Sequence, residues 1–286
     1  MIVTWRLFLN IFYLQIDGCL FFTIQEGYGN VYLFYYNFKM FKQYKVPNKI
    51  RSVVDTIWLV DNRESSEQEV NILPDGFLKL LIFIQDSTVV DVRHTGIFTE
   101  PKIINMAANT VGVGISLNVL GPEFFFNRDM KSLINESESI SKTFLGIDQL
   151  SVSSLDLFID DVIKKIIRHL ELNEPTEGKM KLVKAIYDDK IDRVAVLESY
   201  TGISSKQLNR YFNNNLGIST KQYLNLKRLR NSFMEYYNNK VRQTPAGYYD
   251  QAHFIKEFKK YVGYTPDKIV DNQDTFHEQF KPQKKQ

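Results

Sequence analysis

Between residues 46 and 125 the apolar positions come in short runs: Val53–Val60, Leu78–Ile84, Thr88–Val92 and Val111–Val119. They are rich in β-branched and aromatic types and are bounded by Pro74-Asp75-Gly76, Gly96 and Gly121-Pro122. Runs this short, punctuated by turn residues, predict strands of a small sandwich or barrel. Pro74-Asp75-Gly76 is a turn with a mechanism, since proline presets φ and glycine accepts a positive one.

After Pro122 the pattern turns helical. Glu123 to Leu133 reads as an amphipathic helix. Ser153 or Ser154 opens another, with Leu155, Phe158, Ile159, Val162, Ile163, Ile166, Ile167 and Leu170 at helical spacing. Asn173–Gly178 is polar, holds a proline and a glycine, and reads as a linker. Beyond it, Leu182, Val183, Ile186 and Tyr187 define one helix face, and Val194, Ala195, Leu197 and Tyr200 a second. Thr201-Gly202-Ile203 forms the turn into a helix capped by Ser204 or Ser205 and ending near Asn215. A long helix over Lys221–Tyr237 is expected to bury Leu224, Leu229, Phe233 and Tyr237.

This C-terminal part contains an internal repeat. Gly247-Tyr-Tyr-Asp-Gln-Ala-His-Phe, continuing to Gly263-Tyr-Thr-Pro266, repeats the segment from Gly202 to Ser219. With Leu208 set on Phe254, Arg210 falls on Lys256, Phe212 on Phe258, Gly217 on Gly263 and Ser219 on Thr265. An apolar pair four residues apart lies on one helix face, and a glycine past the last turn is a stop signal. Each copy opens with glycine, a short turn, and Ser or Asp where an N-cap belongs. Two capped helices with basic outer faces have the form of a double helix-turn-helix DNA reader.

Charge sharpens the division. Residues 179–286 hold 20 Lys+Arg against 11 Asp+Glu, and residues 1–178 hold 16 against 22. A basic C-terminal part behind an acidic N-terminal one suggests that only the former meets a polyanion. The lone cysteine, Cys19, rules out an internal disulfide and a Cys-based zinc site, and is consistent with a reducing compartment. Residues 1–39 are crowded with aromatics, interrupted by Asn10, Gln15 and Asp17, and have no clean membrane-length apolar run. We expect Met40 to be the true start and residues 1–39 an atypical extension; a weak membrane anchor is the alternative.

The strings Gly247-Tyr-Tyr-Asp-Gln-Ala-His-Phe…Phe258…Gly263-Tyr-Thr-Pro266 and Gly202…Leu208-x-Arg210-x-Phe212…Gly217-x-Ser219 resemble the signature of AraC-type transcriptional regulators over about residues 180–270. More weakly, Leu73-Pro-Asp-Gly76 and Gly114–Pro122 resemble the β-rich sensory domain of some members. The resemblance implies an α+β chain, with a β-rich sensory or dimerisation domain with C-terminal helices over 40–172. A double helix-turn-helix domain over 179–270 and a polar tail over 271–286 follow. It implies a cytoplasmic, sequence-specific regulator that reads successive major-groove segments about 34 Å apart. Double-stranded DNA is the implied partner, with RNA polymerase, a second copy of the chain and an unknown small-molecule effector as further candidates. One departure stands out. Lys240–Ala246, with Pro245, is about four residues short of the supporting helix usual before the second Gly-Tyr.

Arg pairs bidentately with guanine and Asn with adenine. Lys206, Asn209, Arg210 and Asn213 of the first copy, and Gln251, His253 and Lys256 of the second, are therefore the candidate base readers. Ser204, Ser205, Lys221 and Lys260 suit phosphate. Trp58, Phe83, Phe98 and Phe125 are candidates for a ligand pocket. No catalytic or metal site is expected and no cofactor. His94, His169, His253 and His277 are scattered, and Gly112-Val-Gly114 lacks the rest of a phosphate loop. The alternatives are a catalytic or signalling β-domain that uses the helical part for localisation, and a sequence-blind nucleic-acid binder.

Overall fold

The computed structural model describes residues 11–16, 19–24, 31–34, 40–63, 66–187, 191–238, 244–245 and 247–271. Side chains are described from residue 41 on, apart from Asn71, Met234, Tyr237, Asn238 and residues 269–271. The strands are Ile11–Ile16 (β1), Cys19–Ile24 (β2), Val31–Phe34 (β3), Met40–Tyr44 (β4), Val54–Asn62 (β5), Gln68–Ile72 (β6), Leu78–Gln85 (β7), Thr88–Thr95 (β8), Lys102–Met106 (β9), Thr110–Leu117 (β10) and Ser137–Ser139 (β11). Their order in the main antiparallel sheet is β1-β2-β3-β4-β5-β10-β7-β8-β11, and β6 pairs with β9 apart from it. The reading of residues 1–39 as an upstream extension lies outside the described residues, the backbones of β1–β3 aside.

Strand β10 lies between β5 and β7 and is buried along its whole length. That is why it reads as a continuous apolar run rather than an alternating one. On β5 the period of two sends Ile57 and Leu59 into the main core, and Trp58 and Val60 into a smaller cluster with Met106 on the opposite face. Gly114 lets the Trp58 ring lie flat on the sheet, since a Cβ there would fall 2.0 Å from it. The short or polar strands β4, β6, β9 and β11 were not expected. β9 is an example, with Ile103 56% exposed and lysine and asparagine among its few residues.

The expected helix from Glu123 to Leu133 is corrected. Only Gly121–Phe125 is α-helical (α1), started by Pro122 in its first turn. Asn127, at φ 44°, takes the chain out of the helical region, and Lys131–Leu133 is a separate 3-10 turn. The next helix, Leu155–Glu171 (α2), lays Phe158, Ile159, Val162 and Ile166 into the core of the sheet. Ser154 stands at its N-cap but makes no capping hydrogen bond.

The expected linker is irregular up to Thr176, after which come Glu177–Tyr187 (α3), Val194–Thr201 (α4), Ser205–Leu216 (α5), Thr220–Asn238 (α6), Gln251–Val262 (α7) and Pro266–Asp271 (α8). The expected face of α4 changes: Ala195 and Tyr200 are exposed, and Leu197 and Thr201 are its buried residues. On α6 Leu224, Leu229 and Phe233 are buried as expected, together with Tyr223 and Tyr236. The side chain of Tyr237 and the tail beyond Asp271 lie outside the described residues. One apolar core runs without a break from the sheet through α2 and α3 to Leu197, Leu208, Phe212 and Leu224. Among the described residues no helix is long and apolar enough to cross a membrane.

Candidate nucleic-acid interface

Helix α5 is fixed at both ends by side-chain and backbone chemistry. Ser204 accepts from the Gln207 amide at 3.3 Å, and the Gln207 side chain accepts from the Ser204 amide at 3.1 Å. Two otherwise orphaned donors are thereby satisfied reciprocally. Gly217 closes the helix at φ 78°, in the left-handed region that glycine enters without strain. Helix α7 repeats the plan: Asp250 accepts from the His253 amide at 2.7 Å, and Gly263 closes it at φ 78°. The inward residues occupy equivalent positions. Leu208, Phe212 and Leu216 are buried on α5, and Phe254, Phe258 and Val262 on α7. Full burial of each such side chain stabilises by about 1.5–3 kcal/mol.

The opposite faces carry the candidate readers. Lys206, Asn209, Arg210, Gln251, His253, Lys256 and Lys260 are all exposed, as is Lys221 in the first turn of α6. Several expected roles meet competing bonds. The Ser204 oxygen is taken by the cap, and the Ser205 hydroxyl donates to Glu198 of α4. Asn209 Oδ1 accepts from the Thr220 amide at 3.3 Å, and half-buried Asn213 donates to the Asn209 carbonyl at 2.7 Å. The His253 ring packs edge-on against Tyr248, with centroids 5.4 Å apart. Arg210 and Lys206 carry no such bond to the rest of the fold among the described residues.

The four pocket aromatics are not brought together. Trp58 belongs to the small cluster with Val60 and Met106, stacked on Phe41 at 6.3 Å. Phe125 lies in the main core, stacked on His169 at 5.6 Å. Phe98 is 2% exposed and Phe83 is half-buried. A cleft of about 760 Å³ opens elsewhere, between residues 48–52, the end of α2 and α3.

Contacts that no local sequence signal marks tie α5 and α3 to the β domain. Glu123 accepts from Tyr211 of α5 at 2.9 Å and pairs with Lys179 of α3. The Met130 amide donates to the Asn214 carbonyl at 3.1 Å. Burial first, and then the Glu123 charge, holds the Tyr211 hydroxyl far above the usual tyrosine range, so it stays a donor. Tyr187 donates to Asp55 at 2.6 Å and accepts from Asn118 at 3.3 Å. Burial raises the Asp55 carboxyl above the usual range, with Arg230 and the Tyr187 hydrogen bond acting the other way. Each pair joins residues far apart in the chain, which is why the sequence alone does not show it.

The comparisons with known proteins fall on the same two parts. Residues 197–272 match a family described as a helix-turn-helix domain. Residues 42–139 match a domain family of unknown function, DUF6597. No curated protein matches the chain significantly. Two crystal structures of ToxT from Vibrio cholerae are similar in outline, one of them of an apo form. The apo form is 10% identical, covering 76% of this chain and 96% of that one, with a TM-score of 0.37. The other is 11% identical, covering 72% and 97%, with a TM-score of 0.38. A likeness of that size transfers no activity. The matched family and the paired capped helices make residues 197–272 a helix-turn-helix domain, set behind a β-rich domain.

Proposed function

We propose that the chain is a sequence-specific regulator that lays α5 and α7 into successive major-groove segments of double-stranded DNA. The observation that carries this is the equivalence of the two helices. They are capped at both ends, bury the same three positions, and turn basic and amide side chains outward. Lys206, Asn209 and Arg210 of α5, and Gln251, His253 and Lys256 of α7, are the proposed base readers, with Lys221 and Lys260 on phosphate. Asn213, Ser204 and Ser205 take a lesser part, because their polar groups already hold α4 and α5 in place. A double-motif domain over 179–270 and a β-rich domain over 40–172 are the units we assign. The cleft beside Tyr187 has the size of a small-molecule site and supports regulation by an effector.

The test is selection of DNA sequences bound by the full chain at a stated salt concentration, with Arg210→Ala alongside. A bipartite consensus with half-sites about one helical turn apart, weakened at one half in the variant, supports the reading. Equal retention of all DNA of one length would favour a sequence-blind binder.

A further inference from the structure

In the first motif a supporting helix, α4, lays fully buried Leu197 into the core that also holds Leu208 and Phe212. Before α7, which begins at Gln251, residues 239–243 and 246 lie outside the described residues, and Tyr248 packs edge-on against Phe254 with centroids 5.1 Å apart. The inner face of α7 is as dry as that of α5, with Phe254, Phe258 and Val262 at 0% exposure.

The cluster that covers it holds Leu229, Phe233 and Tyr236 of α6 and half-buried Tyr248, together with Leu73, which belongs to the β domain and is itself fully buried. Leu73 opens the turn between β6 and β7, and that turn is stiff. Asp75 accepts from the Phe77 amide at 3.0 Å and forms an ion pair with Lys79 at 2.7 Å, both side chains being 2–3% exposed. The turn runs along α6. A Cβ on Gly76 would sit 3.7 Å from that of Leu226, and the Arg230 guanidinium lies over the Phe77 ring at 4.4 Å.

We propose that Leu73–Phe77 of the β domain forms part of the seat of the second DNA-reading motif, with Leu73 as the positioning residue for α7. This rests on the two-motif reading above. It assigns the two motifs different contacts on the β domain: α5 meets Glu123 and Met130, whereas α7 shares its apolar cluster with Leu73. Any displacement of the β6–β7 turn is then felt at the second half-site before the first.

The test uses the full chain with Leu73→Asp, Leu73→Ala and the conservative Leu73→Met, followed by amide hydrogen exchange and by footprinting on the selected DNA. We expect exchange across Phe254–Val262 to accelerate at least tenfold in the Ala and Asp variants, with α5 unchanged and Met close to the parent. Footprints should lose the second half-site and keep the first. If Asp prevents folding, Ala carries the comparison. Exchange in α7 equal to the parent in both variants overturns the proposal, as does equal weakening of α5 and α7. A parent chain that protects no bipartite site defeats the two-motif reading instead, and the exchange result then decides the support role alone.

Discussion

At the scale of single residues, Arg210 and Ser204 lie six positions apart on one helix start and are expected to behave oppositely. Arg210→Ala should cost about 1–3 kcal/mol of binding at one half-site, seen as relaxed base preference there in a binding assay. Ser204→Ala removes the reciprocal cap and should cost about 1 kcal/mol of stability, a fall in Tm, with base preference unchanged. Asp55 gives a dependence on pH. Burial raises its folded pKa above the unfolded value of about 4. Its contribution is therefore full below the unfolded value and lost as pH rises through the folded one. Asp55→Asn keeps an acceptor for Tyr187, so its Tm should gain on the parent's at about pH 8 and show no gain at about pH 3. The outward face that carries the candidate readers was legible because helical register suffices to place it. Asn209 was only half legible: its register faces outward, but its oxygen caps α6, a bond that depends on how two helices meet.

At the scale of elements, the glycines separate local from tertiary constraint. Gly202 and Gly217 both sit at positive φ, but nothing lies within 4 Å of a Cβ on Gly202. On Gly217 that atom would meet the Met130 carbonyl at 2.9 Å. Gly202→Ala should thus cost about 1 kcal/mol of left-handed strain. Gly217→Ala should cost clearly more in a urea titration, since the Met130 backbone must also move. Elements with a strong period were readable: α2, α5, α6 and α7, and the four apolar strands. The segment 121–134 was not. Its mixture of apolar and charged residues reads as a helix, but Asn127 leaves the helix and Met130 pairs with the backbone of α5. Tertiary contact overrode propensity there.

At the scale of the whole molecule, the uneven charge sets how binding responds to salt. Affinity should fall linearly on a log–log plot against salt, and Lys260→Ala should shallow the slope by about 1 while leaving sequence preference intact. The order of the two parts, β-rich and then helical, could be read from periodicity and charge. Their union into one core could not, because nothing in a linear pattern says which dry face meets which. That union bears on how the molecule is made. Synthesis runs from the N-terminus, and domains emerge and fold in that order. The β6–β7 turn therefore leaves the ribosome long before Gln251–Val262, and the last reading helix closes onto a seat already built. A nascent chain stalled before α7 would carry the first reader complete and the seat of the second empty, its apolar floor of Leu73, Leu229 and Phe233 open to chaperones.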